Sequence, residues 1–110
     1  MEIKIKEVGD IRVAYIVGKL DTSTSPEAEA KIGELLNAGV NKIVINLEEL
    51  SYLSSSGLRV FLGTAKKLMA IGGTVKLCCP NAVVKEILEI SGFNTILDVR
   101  KTEEVAISEM

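Results

Sequence analysis

Residues 42–63 constrain this chain more than any other segment. Lys42-Ile43-Val44-Ile45-Asn46-Leu47 is a near-continuous apolar run, the pattern of a strand covered on both faces of a sheet. After it, Glu48-Glu49-Leu50-Ser51-Tyr52-Leu53-Ser54-Ser55-Ser56-Gly57 is largely polar. Apolar residues then recur at helical spacing: Leu58, Leu62, Ala65 and Met69 form one stripe, widened by Phe61 and Leu68. A buried strand that turns directly into an amphipathic helix is half of a β-α-β unit. It commits the chain to a sheet with helices packed on it.

The other segments keep that alternation. Ile3, Ile5 and Val8 alternate with charged residues, as in an edge strand. The Gly9-Asp10 turn leads into a second strand at residues 11–17, which predicts an antiparallel hairpin. Ser25 before Pro26, with Pro26 at the first helical position, starts a helix that ends near Asn37-Ala38-Gly39. The second helix ends at Ile71-Gly72-Gly73 and a strand follows at residues 74–78. Pro80 opens a third helix, closed by Ser91-Gly92. A short strand is expected at residues 95–99, and Thr102-Glu103-Glu104 caps a last short helix. The order β-β-α-β-α-β-α-(β)-α predicts one α/β domain over residues 1–110. Its sheet is mixed and mostly parallel, of four to five strands, with an N-terminal hairpin and about four helices.

Composition narrows the function. Aromatics are 4% of residues against 47% hydrophobic, so the core is aliphatic. A net charge of −2 lacks the basic surplus of a nucleic-acid binder. No apolar run approaches the ~20 residues of a membrane helix, so no membrane insertion is expected. The first residues alternate apolar and charged without a signal-peptide core, and a cytoplasmic location is expected. Cys78 and Cys79 are adjacent, which is poor geometry for a disulfide, and they read as small fillers at a strand end. The absence of histidine removes histidine phosphorelay, Ser-His-Asp triads and most zinc sites. No phosphate-binding glycine motif occurs, and no serine has a lysine three residues on. No enzymatic activity, cofactor or metal is therefore expected. Asp21, with Glu48 and Glu49, offers at most a lone magnesium contact and is read instead as a loop or helix cap.

The chemistry concentrates at Ser54-Ser55-Ser56-Gly57. One serine can cap a helix, and three exceed that need. A hydroxyl at a helix start lies beside free N–H groups and the positive end of the helix dipole, where a phosphate is stabilised. The turn is therefore read as a switchable phosphoserine, with an ordinary cap and polar loop as the alternative. In parallel sheets, sites gather at the carboxyl ends of strands. This places the loop Leu20-Asp21-Thr22-Ser23 on the same edge as the serines. Arg59, Lys66 and Lys67 share the polar side of the second helix. They form either a solvated face or a docking surface, with Tyr52, Leu53 and Val60 as its apolar contacts.

The chain resembles the STAS domain of anti-sigma factor antagonists. The matches are Gly18-Lys19-Leu20-Asp21, Asn46-Leu47-Glu48-Glu49-Leu50-Ser51, Ser55-Ser56-Gly57-Leu58 and Gly72-Gly73-Thr74. The family signature reads Asp-Ser-Ser/Thr-Gly-Leu, and this chain has Ser54 in place of the aspartate. The resemblance implies phosphorylation at Ser55, with Ser54 and Ser56 as minor candidates. It implies a partner-binding surface from Asp21, Thr22, Ser23, Tyr52, Leu53, Ser54, Ser56, Gly57, Arg59 and Val60. The implied partners are an anti-sigma factor, itself a serine kinase of the histidine-kinase-like ATPase fold, and a PP2C-type phosphatase. A non-phosphorylated STAS subunit of a lipid or anion transporter and a small-nucleotide-binding module at the Asp21 edge are the alternatives.

Overall fold

The computed structural model describes all residues, Met1–Met110. The elements run β1 (Glu2–Val8), β2 (Ile11–Leu20), α1 (Ser25–Asn37), β3 (Lys42–Asn46), β4 (Leu50–Leu53), α2 (Ser55–Ala70), β5 (Thr74–Cys78), α3 (Ala82–Ser91), β6 (Val99–Arg100) and α4 (Glu103–Ser108). A 3-10 turn at Phe93–Thr95 joins α3 to β6. The sheet is mixed, in the order β1-β2-β3-β5-β6, with β4 paired to the far half of β2. β1 and β2 form the expected antiparallel hairpin, and every other pairing is parallel.

The sheet thus has six strands, more than the four or five expected. The extra one is β4, read from sequence as loop. Its side chains run buried, exposed, exposed, buried, so it shows no period of two. It forms because β2 is ten residues long: Arg12–Tyr15 pair with β3, and the remaining length, Gly18–Leu20, pairs with β4. Three further boundaries differ. Thr24 precedes α1, so Pro26 is its second residue rather than its first. Asn81, not Pro80, caps α3, its Oδ1 accepting from the Val84 N–H at 3.0 Å. The strand expected at residues 95–99 is reduced to Val99–Arg100. Gly92, in the left-handed region at φ 78°, closes α3, and Leu97 N–H then bonds back to the Phe93 carbonyl.

The main core lies on one face of the sheet under α1, α2 and α3, and includes Ile16, Leu20, Ile32, Ile45, Phe61, Leu68, Leu77 and Leu88. A smaller cluster on the other face, Ile11, Val13, Val44 and Cys78, is covered by Ala106 of α4. Burying such aliphatic side chains is worth roughly 1.5–3 kcal/mol each. Both faces of β3 are therefore packed, as its apolar run requires. Cys78 is buried at the end of β5 and both thiols are free. No helix is long and apolar enough to cross a membrane.

Candidate functional site

The site begins where β2 ends. Asp21 Oδ1 accepts from the Ser23 N–H at 3.0 Å, the Ser23 hydroxyl at 2.8 Å, the Thr24 N–H at 3.1 Å and the Thr24 hydroxyl at 3.2 Å. The Ser23 hydroxyl, followed by the Thr24 N–H, holds the Asp21 carboxyl below its ordinary range. Asp21 is a structural clasp for its loop, as a side chain that repeatedly accepts from nearby backbone is expected to be. The Asp21 carbonyl also accepts from the Ser25 N–H and hydroxyl, which anchors the start of α1. Asp21, Glu48 and Glu49 do not converge on a metal site.

The serine turn is fastened to the same edge. The Ser54 N–H donates to the Leu20 carbonyl at 2.9 Å, tying the start of α2 to the end of β2. The Ser54 hydroxyl caps α2 by accepting from the Gly57 N–H at 3.2 Å. The Ser56 and Thr22 hydroxyls lie 3.4 Å apart, joining the two loops directly. Ser55 is the exposed member of the three and the first residue of α2. α2 carries no acidic side chain in its first turn, unlike α1 with Glu27 and α4 with Glu103 and Glu104. The positive end of its dipole is left uncompensated by its own sequence.

Gly57 sits deep in the turn. A Cβ there would lie 2.7 Å from Leu53 Cδ1 and 2.9 Å from Leu20 Cγ. The glycine lets the helix approach the β2–β4 layer. Three residues expected on the docking surface have little exposed area. Gly57 is buried, Leu53 is 3% exposed because it faces inward from β4, and Val60 is 7% exposed on the inner side of α2. Tyr52 remains at the surface with 46% exposure, and Thr22, Ser23, Arg59, Lys66 and Lys67 are exposed. A groove of about 360 Å³ runs between α1 and α2 from Thr22 and Ser56 past Arg59 to Lys67.

A family model described as the STAS domain matches residues 2–106. The chain belongs to the STAS-domain family of anti-sigma factor antagonists. The anti-sigma-B factor antagonist of Staphylococcus aureus is 32% identical over 80% of this chain and 82% of its own length. Unphosphorylated SpoIIAA, titled an anti-sigma factor antagonist, superposes with a TM-score of 0.76 at 27% identity, covering 98% of this chain and 96% of that one. The phosphorylated form of the Bacillus protein SpoIIAA superposes with a TM-score of 0.74 at 28% identity, covering 98% of each chain. TM1081 of Thermotoga maritima reaches a TM-score of 0.92 at 25% identity over 97% of this chain and 92% of that one.

Within this STAS domain two positioning residues escaped the sequence reading. Asn81 Nδ2 donates to the Leu50 carbonyl at 2.6 Å, pinning β4 to the start of α3. Gly18, at φ 97°, turns its N–H onto the Glu49 carbonyl at 3.0 Å and so holds the same amino-terminal end of β4 from the side of β2. The signal for Asn81 was present, since an asparagine after proline is a strong helix cap. The signal for its second bond was not, because it depends on β4.

Proposed function

We propose that this STAS domain is an anti-sigma factor antagonist switched by phosphorylation of Ser55. The observation that carries the reading is the division of labour among three adjacent hydroxyls. Ser54 caps α2, Ser56 meets Thr22, and Ser55 stands exposed on the first turn of a helix without acidic residues. The names of its relatives supply the partner class: an anti-sigma factor. The kinase-type anti-sigma factor and PP2C-type phosphatase implied by the family complete the cycle, in the cytoplasm. The domain itself is the substrate and the binding partner, not a catalyst.

The physics of such a switch is local. A phosphate on Ser55 adds about −1.5 to −2 charges at neutral pH. The free N–H groups of α2 accommodate that charge without rearrangement of the fold. A partner packed over Tyr52, Arg59 and the Asp21 loop must instead desolvate it. A penalty of ~2.7 kcal/mol lowers affinity about a hundredfold. SpoIIAA has the same fold in its two forms, which supports a switch that works by charge rather than by refolding.

The test is to incubate the chain with ATP and a purified ATPase-type anti-sigma factor kinase that it binds, then map the product by mass spectrometry. Modification at Ser55, abolished by Ser55→Ala, is the expected result, together with loss of partner binding on a comparable scale in Ser55→Asp. Modification at Ser54 or Ser56, or unchanged binding after stoichiometric phosphorylation, would overturn the reading.

A further inference from the structure

The chain has three arginines, and two of them are committed. Arg12 donates to the Gly9 and Ile11 carbonyls and pairs with Glu7. Arg100 is held by Asp98 and Glu109. Arg59 enters none of the ion pairs, and the arginine side-chain hydrogen bonds come from Arg12 and Arg100 alone. It is also the one arginine classed as exposed. Its neighbours on α2 are one-sided. Three and four residues before it stand Ser56 and Ser55; three and four after it stand Leu62 and Gly63. Residues at those separations meet on a helix surface. α2 contains no acidic residue, so nothing on its own helix competes for the guanidinium. Glu29 of α1 lines the groove with Arg59 yet makes no ion pair with it. Gly63 presents no side chain, and even a Cβ there would meet nothing within 4 Å, which leaves that flank of Arg59 open. Long helical side chains lean toward the amino terminus of their helix, over the residues three and four before them. Arg59 accordingly lines the groove together with Ser56.

We propose that Arg59 is the internal counter-ion of phosphorylated Ser55, its guanidinium donating to two oxygens of the phosphate. The inference rests on Ser55 as the modified residue and adds what holds the phosphate once it is there. An anion four residues before a cation is the favourable order on a helix. The planar guanidinium fork matches a phosphate bidentately, which an ammonium does not. The pairing gives the switch a second arm. In the unmodified chain the Arg59 guanidinium is free to meet a carboxylate of a docked protein. In the phosphorylated chain it is turned back onto the head of α2. Phosphorylation then does more than add negative charge: it withdraws the free arginine from the groove between α1 and α2.

The experiment uses the full chain with phosphoserine installed at position 55 during translation, so its outcome depends on no kinase. The phosphate is titrated by 31P NMR at about 0.15 M ionic strength, where charges are screened beyond about 8 Å. Phosphoserine ordinarily loses its second proton near about pH 6. A midpoint below that value is expected, and Arg59→Gln should raise it by about half a pH unit. Arg59→Lys should keep part of the effect, as a point charge without the fork. Lys67→Gln, about 18 Å further along α2, should leave the midpoint in place. The Asp21 carboxylate on the neighbouring loop opposes the phosphate in every variant alike, so the differences isolate Arg59. Arg59 is exposed, and the amide spectrum of each variant reports that it is folded. An unchanged midpoint in folded Arg59→Gln, or an equal rise in Lys67→Gln, would overturn the proposal. The two readings fail separately. Kinase modification at Ser55 with no effect of Arg59→Gln overturns this inference alone. Kinase modification at Ser54 or Ser56 overturns the Ser55 switch, while the midpoint difference still shows the pairing.

Discussion

Ser54 and Ser55 are neighbours with opposite duties, and stability measurements separate them. Ser54 holds the Gly57 N–H, so Ser54→Ala leaves a helix donor without its cap. A loss of about 1 kcal/mol is expected in denaturant unfolding. Ser54→Asp is expected to be as stable as the parent, because aspartate caps equally well. This explains how the chain tolerates serine where the family signature has aspartate: the capping function survives the exchange. Ser55→Ala removes an exposed hydroxyl and is expected to change stability by less than about 0.5 kcal/mol. A substantial loss at Ser55 would show that its hydroxyl supports the turn. Gly57→Ala tests the close approach of α2 to the sheet. Alanine favours helices, yet its Cβ would meet Leu53 and Leu20 well inside contact distance. Overpacking is expected to dominate, costing about 1–3 kcal/mol as a lowered unfolding midpoint.

The element that decides the geometry of the site is β4. It holds Tyr52 at the surface and Leu53 in the core, and it sets where α2 begins. Asn81 secures it from α3 while capping that helix with the same side chain. Asn81→Ala is expected to cost about 1–2 kcal/mol, since it removes both a cap and a bond to a backbone carbonyl. Amide exchange at β4 should accelerate more than at β3, which is held by two strand neighbours. Equal acceleration in both strands would mean that Asn81 acts on the whole fold instead. β2, α1 and α2 were legible because their apolar spacing repeats over ten residues or more, and β3 because its short run is almost wholly apolar. β4 and β6 were not. Four residues with the pattern buried-exposed-exposed-buried, and a two-residue strand, have too little sequence to show a period.

At the scale of the whole molecule, carboxylates tie distant segments together. Lys6 of β1 donates to Glu103 Oε2 at 2.7 Å, and Asn46 of β3 donates to Glu103 Oε1 at 3.0 Å. The start of α4 is thereby bound across the sheet. Burial pushes the Glu103 carboxyl up, but contacts from Lys6, Tyr15 and Asn46 outweigh it and hold it below its ordinary value. Burial likewise raises Asp98, and Lys76 and Arg100 more than offset it. A carboxyl whose folded value lies below its unfolded one stabilises the fold above the unfolded value, about 4. That contribution disappears as pH falls through the folded value. Stability is therefore expected to be level between about pH 7 and 5 and to decline below about pH 4, followed by circular dichroism. Glu103→Gln should flatten the acid decline. An identical acid profile in that variant would show that Glu103 takes no part in it.

The order of the main elements, the aliphatic core, the N-terminal hairpin and the serine turn at the head of α2 follow from the sequence alone. Each depends on neighbours within a few residues, so spacing and capping chemistry reveal it. Which of three serines stays open, which of Tyr52, Leu53 and Val60 faces outward, and how Asn81 reaches Leu50 were settled only in three dimensions. Those outcomes depend on β4 lying beside β2 and on Thr22 meeting Ser56, contacts between residues more than thirty positions apart. Local pattern carries no record of such pairings, because chain closure brings them together only when the core has packed.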